Sequence, residues 1–302
     1  MHQSWIKYRK DYQSYLKIEK SLSANSVEAY LRDYDKFTQY LEIHNSSQRP
    51  EDIGLEDLQE FVRWITDLGI AARSQARIIS GLRNFFFYLI LEDEIKTDPT
   101  ELLDLPKIGK KLPEVLDKDE IDALINAVDL SKNEGHRNRA IVETLYSCGL
   151  RVSELINLKI TNLYFEEGFI RVIGKGNKER LVPVSKSVEK EVNIYREHIR
   201  RHQDIAHGHE DFLFLNRRGK QLTRVMIFTI IKQLAEKINL QKNISPHTFR
   251  HSFATHMVEH GANLRAIQEM LGHESISTTE IYTHLSNDVL RDAIIKHHPR
   301  NK

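Results

Sequence analysis

Apolar positions recur along this chain with two different periods, and the change of period divides it. From residue 1 to 105 the period is helical. Trp5, Tyr8, Tyr12, Tyr15 and Leu16 predict a first helix. Ser21 to Ser26 interrupts it, and Val27, Tyr30, Leu31, Tyr34, Phe37 and Leu41 form the stripe of a second. Pro50 and Gly54 mark the next connection. Leu58, Phe61, Val62, Ile65 and Leu68 then predict a third helix that buries this face and stops at Gly69. The fourth, Ala72 to Leu91, turns Ile78, Ile79, Leu82, Phe85, Phe86, Leu89 and Ile90 inward and leaves Arg73, Arg77 and Arg83 facing out. Aromatic stripes at this spacing read as core rather than as platforms for stacking bases.

The stretch PKIGKKLP, residues 106–113, has two prolines, three lysines and no acid, and reads as a linker. Beyond it the helical period resumes over Asp117 to Val128 and His136 to Cys148, where Gly149 ends it, and Leu150 to Leu155 opens another helix. The period then changes to two. Leu163 to Phe165, Phe169 to Ile173 and Arg180 to Val184 are separated by glycine-bearing turns and predict a small antiparallel sheet, with Pro183 at an edge or a strand end. Helices are expected over Ser187 to His202 and Thr223 to Ile238. Pro246 opens a further one with Phe249, Phe253, Met257 and Val258 on its apolar side, and Gly261 closes it. Leu264, Ile267, Met270 and Leu271 form the next, ended by Gly272. Ser275 to Thr279 offers N-caps for a helix that carries Tyr282. Asn287 to His298, with Val289, Leu290, Ile294 and Ile295, closes the chain as a short helix expected to find little to bury against in its own domain. The fold class is mainly α with a small antiparallel β-sheet, divided into a helical domain (1–105), a basic linker (106–113) and a second domain (114–302).

Composition changes this picture little. The 302 residues are 40% apolar and 29% charged, as in ordinary globular proteins. Cys148 is the one cysteine, so no disulfide framework or thiolate metal site is available, which fits a reducing compartment. No apolar run approaches the ~20 residues that span a bilayer, so a cytoplasmic protein without membrane insertion is expected. A net charge of +1 does not suggest nucleic acid. Local clusters matter more: Lys107-Lys110-Lys111, Arg171-Lys175-Lys178-Arg180 and Arg196-Arg200-Arg201. Each by itself is most simply a solvated face.

The candidate chemistry lies mainly between Ile244 and His284. His247 and Arg250 are three residues apart on one helix, His273 follows a helix end, and Tyr282 comes two turns into the next. Upstream, Arg151 and Glu154 are three apart, and Lys175 stands between Gly174 and Gly176 at a hairpin tip. A lone tyrosine is usually packing, a lone histidine a surface residue, and an arginine and glutamate at this spacing an ordinary helical ion pair. Together they supply what a phosphodiester under attack requires: cations around its oxygens and proton carriers beside its leaving group. Near these residues only Glu154 and Glu280 could serve a pair of metal ions, so neither metal nor cofactor is expected.

The run His247-Thr248-Phe249-Arg250-His251, followed by Leu271-Gly272-His273 and Tyr282-Thr283-His284, resembles the carboxy-terminal signature of the tyrosine recombinases, the lambda-integrase family. The closing His297-His298-Pro299-Arg300 is similar to the tail of its Xer branch. The resemblance implies a two-domain DNA clamp whose first domain is the SAM-like core-binding module, and a catalytic set of Arg151, Lys175, His247, Arg250, His273 and Tyr282. In that set Tyr282 is the nucleophile that forms a 3′-phosphotyrosine, and Lys175 protonates the leaving 5′ oxygen. It further implies double-stranded DNA as partner, with Arg73, Arg77, Lys107, Lys110 and Lys111 as candidate backbone contacts. A homo- or hetero-tetramer with a second Xer-type recombinase, a terminal helix docked on a neighbouring protomer, a septal DNA translocase and resolution of chromosome dimers complete the expectation. A type IB topoisomerase, a mobile-element integrase and a catalytically silent DNA-binding relative are the alternatives.

Overall fold

The structure, a computed structural model, describes residues 3–109, 114–272 and 287–301. It divides into two compact units, Met1–Lys111 and Leu112–Lys302.

The first unit is built from α1 (Ser4–Ile18), α2 (Ala24–Ile43), α3 (Leu55–Asp67) and α4 (Ala72–Leu91). Ser23 starts α2 by accepting a hydrogen bond from the backbone N–H of Ser26, and Asp57 closes back onto Gly54 at the start of α3. The aromatic stripes meet in one core. Trp5 packs on Tyr34, Phe37 and Phe85, and Tyr12 lies edge-on to Phe85. Burying rings of this size contributes roughly 1.5–3 kcal/mol each, and the buried hydroxyls of Tyr12 and Tyr34 donate to Asn84 Oδ1 and the Trp5 carbonyl. The helices cross closely at Gly81, where a Cβ would come within 2.6 Å of Asp33. Two expectations fail here. Leu68 is exposed, because α3 ends one residue before it, and Arg83 is half-buried and donates to the Leu103 carbonyl instead of facing out.

The second unit surrounds α6 (Gly135–Ser147), which is buried along almost its whole last two turns. Around it lie α5 (Lys118–Asn126), the short α7 (Val152–Ile156), α8 (Lys186–His198), α9 (Arg224–Lys237), α10 (Pro246–Glu259), α11 (Leu264–Leu271) and α12 (Asn287–His297). β1 (Leu163–Tyr164), β2 (Phe169–Ile173) and β3 (Glu179–Pro183) form an antiparallel sheet in the order β1-β2-β3, with Ile170 opposite Val182 and Ile173 opposite Glu179. Pro183 ends the edge strand β3, where its missing N–H costs no ladder bond. On α10, Phe249, Phe253 and Met257 are buried as expected but Val258 is exposed.

The closing helix departs most from expectation. Leu290, Ala293 and Ile294 of α12 are buried within their own unit, against β3 and α11, while Val289 and Ile295 are exposed. The tail continues inward. His298 is fully buried between Tyr146 and Phe253, and Arg300 pairs with Asp122 at 2.6 Å and Glu143 at 3.3 Å. The α12 periodicity marks an apolar face but carries no information about which surface covers it.

Candidate active site

Arg250 and Arg151 reach the same place from different elements. Pro246 starts α10, Ser245 and Thr248 cap it, and Arg250 follows on its second turn. His247, one turn earlier, is exposed, whereas Arg250 is only 8% exposed. Arg151 is the N-cap of α7, and its own N–H is accepted by Glu154 Oε2 at 2.8 Å. That reciprocal contact explains the spacing of Arg151 and Glu154: a carboxylate one turn into a helix satisfies an N-terminal donor and turns its other oxygen to the arginine head.

Both guanidinium groups converge on the C-terminal end of α11. Arg250 Nη2 donates to the Leu271 carbonyl at 2.6 Å and its Nη1 to the Gly149 carbonyl at 2.7 Å. Arg151 Nη1 donates to Glu154 Oε1 at 2.9 Å and to Leu271 at 3.3 Å, and Nη2 to the Gly272 carbonyl at 3.1 Å. These are carbonyls that a helix end leaves without intrahelical donors, and they lie at its negative pole. Gly272 closes the helix in the left-handed region with φ +64°. The chain thus leaves α11 directly beside two arginines.

A third arginine completes the cluster. Arg180, on β3, holds Glu154 with both terminal nitrogens, each at 2.9 Å, and donates from Nε to the Met270 carbonyl at 2.7 Å. The grouping of Arg180 with a solvated basic patch is therefore wrong: its side chain is 13% exposed. Arg200 of the next patch is likewise internal, bound to the carbonyls of Glu210, Phe212 and Leu213. The sequence holds a signal for Arg180. It lies two residues from Val182 on a strand, hence on the face that Val182 buries, and an arginine on an inward face requires a buried partner.

Three guanidinium groups gather at the end of α11, two of them on the Glu154 carboxylate. Burial pulls Arg250 down to about 10, with the charge of Arg151 adding to the effect and Glu154 opposing it. For Glu154, burial pushes the carboxyl up, but the hydrogen bonds and charge of Arg180 and the bonds from Arg151 outweigh it and hold the group below the ordinary glutamate range. Glu154 is thus ionised at neutral pH and orients two of its neighbours. A cluster of guanidinium groups of this kind suits an anion.

Lys175 is placed by its backbone at the tip of the β2–β3 hairpin, which the Gly174 N–H closes onto the Lys178 carbonyl at 2.8 Å. A Cβ added at the adjoining Gly174 would lie 3.5 Å from Arg180 Nη1 and 3.7 Å from Glu154 Oε1, so the hairpin base abuts the arginine cluster. His273, Tyr282 and the helix expected to begin within Ser275 to Thr279 and carry Tyr282 lie outside the described residues, as do Lys110 and Lys111. Of the other expected DNA contacts, Arg73 and Lys107 are exposed, while the half-exposed Arg77 is paired with the buried Asp33. Among the described residues no group of three His, Cys, Asp or Glu side chains is placed to hold a metal ion, and no helix is long and apolar enough to cross a membrane.

Comparison with known proteins agrees with this arrangement. Residues 114–288 match the Phage integrase family, and residues 10–93 match the phage integrase N-terminal SAM-like domain. Tyrosine recombinase XerD of Staphylococcus epidermidis is 44% identical over 290 residues, covering 96% of this chain and 98% of that protein. XerD of Staphylococcus aureus is 46% identical over the same length and with the same coverage. The fold is shared with a lambda integrase dimer bound to a COC′ core site, at 18% identity and a TM-score of 0.72 over 94% of this chain and 100% of that one. Two matched regions, the relatives' near-complete coverage and the arginine cluster lead to one conclusion: the chain belongs to the phage integrase family, in the Xer branch of its tyrosine recombinases, and is a site-specific recombinase.

Proposed function

We propose that this recombinase cuts and rejoins double-stranded DNA through a covalent 3′-phosphotyrosine on Tyr282. The observation that carries the reading is the convergence of the Arg151, Arg180 and Arg250 guanidinium groups on the end of α11, from which the chain runs on to His273 and Tyr282. The non-bridging oxygens of a phosphodiester suit such a cluster. Arg151 and Arg250 offer planar forks to its non-bridging oxygens, and His247 and His273 donate hydrogen bonds and carry protons. The Tyr282 oxygen attacks phosphorus and gives its proton to a nearby acceptor. The bond to the 5′ oxygen breaks, and the Lys175 ammonium protonates that oxygen as it leaves. Because the new phosphotyrosyl ester keeps the energy of the bond it replaces, a second 5′ hydroxyl can reverse the step without a nucleotide cofactor.

The first unit and the linker grip the duplex in this reading, with Arg73, Arg77, Lys107, Lys110 and Lys111 on the phosphate backbone. The relatives named XerD and the DNA-bound lambda integrase dimer support a multimeric assembly on DNA, in a homo- or hetero-tetramer with a second Xer-type recombinase. Resolution of chromosome dimers in the cytoplasm, under a septal DNA translocase, is the role that fits such an assembly.

The test is a trapping assay. Wild type incubated with a nicked suicide duplex carrying a candidate site is expected to remain attached to DNA after denaturation, and Tyr282→Phe is expected to bind that duplex equally and form no adduct. A persistent adduct in the variant rejects Tyr282 as the nucleophile.

A further inference from the structure

We infer that Arg180 is a positioning residue for strand cleavage: it sets the backbone that leads into Lys175 and the carboxylate that orients Arg151. This rests on the proposed reading of those two residues as catalytic. Arg180 is largely buried. Its side chain is 13% exposed, and Nε, Nη1 and Nη2 each hold a protein acceptor, so it acts through its neighbours.

Four contacts define what it holds. Its two terminal nitrogens grip Glu154, whose Oε1 takes the Arg151 head and whose Oε2 takes the Arg151 N–H. Its Nε holds the Met270 carbonyl, one residue before the Leu271 carbonyl that both Arg151 and Arg250 use. The stem lies against Gly272, where a Cβ would meet Arg180 Cδ at 3.2 Å and Nε and Nη1 at 3.3 Å, and Gly272 directly precedes His273. The head abuts Gly174, which directly precedes Lys175. One planar side chain therefore joins β3, the base of the hairpin, the start of α7 and the end of α11.

Arginine is required by this geometry. A carboxylate gripped at both oxygens and a carbonyl gripped beside it need three donors fixed in one plane, which the single nitrogen of lysine cannot supply. Gly272 belongs to the same device, since a side chain there would press on the Arg180 side chain. Displacing a catalytic group by about 1 Å can cost about 10²-fold in rate while leaving binding intact.

The experiment measures single-turnover adduct formation by the full-length protein on two suicide duplexes, one with the natural 5′ oxygen at the scissile bond and one with sulfur in its place. A thiolate leaves without a proton, so the sulfur linkage removes the need for Lys175. Arg180→Lys keeps the charge beside Glu154, and Arg180→Met removes it. Both are expected to bind DNA within about twofold of wild type and to form adduct about 10²-fold more slowly on oxygen, with the deficit shrinking about tenfold on sulfur. A near-normal rate for Arg180→Lys on oxygen overturns the inference. So does an equal deficit on both linkages, which is what loss of fold alone produces. Should Arg180→Met fail to fold, Arg180→Lys alone decides. A wild type that forms no adduct on either linkage removes the phosphotyrosine reading and this one with it, whereas an active wild type beside an unimpaired variant removes this one only.

Discussion

Each of the two convergent arginines is tied to a different part of the fold, and this decides what a substitution can do. Arg250 uses Nη1 and Nη2 on the Gly149 and Leu271 carbonyls from a position only 8% exposed. A lysine there keeps the charge but can make one of those bonds in place of two and loses the flat fork toward phosphate. Arg250→Lys is expected to lower the single-turnover cleavage rate by about 10²-fold or more, the scale of losing a preorganised charge-stabilising donor, with DNA affinity little changed. Near-normal cleavage by that variant, measured on the same suicide duplex, would remove the argument from planar geometry. His247 and Arg250 were legible in the sequence because one motif holds both. Arg180 was less legible: only its spacing from Val182 marks its inward face, and its partners Glu154 and Met270 are 26 and 90 residues away.

Helix ends organise the site at the level of elements. Gly149 ends the segment after α6 with φ +56°, and its carbonyl accepts from Arg250. A Cβ there would come within 2.6 Å of the Phe253 ring and 3.0 Å of Leu271, both buried, so neither neighbour can yield freely. Gly149→Ala is therefore expected to cost roughly 2–4 kcal/mol, from strain at positive φ and from overpacking together. Urea titration of the full chain checks this, and an unfolding midpoint within error of wild type refutes it. The helix and strand periods located every described element of the second unit to within a few residues, because each element buries a face of its own. Burial at the ends was less legible. Leu68 and Val258 fit an apolar period yet are exposed, since periodicity records spacing and not where a helix stops or which neighbour covers it.

Across the second unit, the terminal tail is the feature with the clearest signature in pH. The His298 ring is buried, its Nδ1 accepts from the Arg300 N–H, and burial with the nearby Arg300 charge pulls its imidazolium down to about 3. The folded value lies below the ordinary ~6.5 of an exposed histidine, so the neutral ring's contribution is complete above that pH and is lost as pH falls from there toward 3. The slope is at most about 1.4 kcal/mol per pH unit for a single proton. His256, also pulled down by burial, works in the same direction, while Glu143, pushed up by burial, opposes both. The difference between proteins is thus the quantity to read: His298→Asn is expected to flatten the fall in stability between pH 6 and 4, and parallel curves reject the assignment. The linear chain sufficed for the class of fold, the lysine-rich connection, the family and the candidate catalytic residues, because each is written in local period or in a short motif. Tertiary structure alone decided that α12 is covered within its own unit, which partners Arg180 finds, and that Arg151 and Arg180 share the Glu154 carboxylate while all three arginines meet the end of α11. Those outcomes depend on which surfaces meet, and contacts between residues 26 to 120 positions apart leave no period in the sequence.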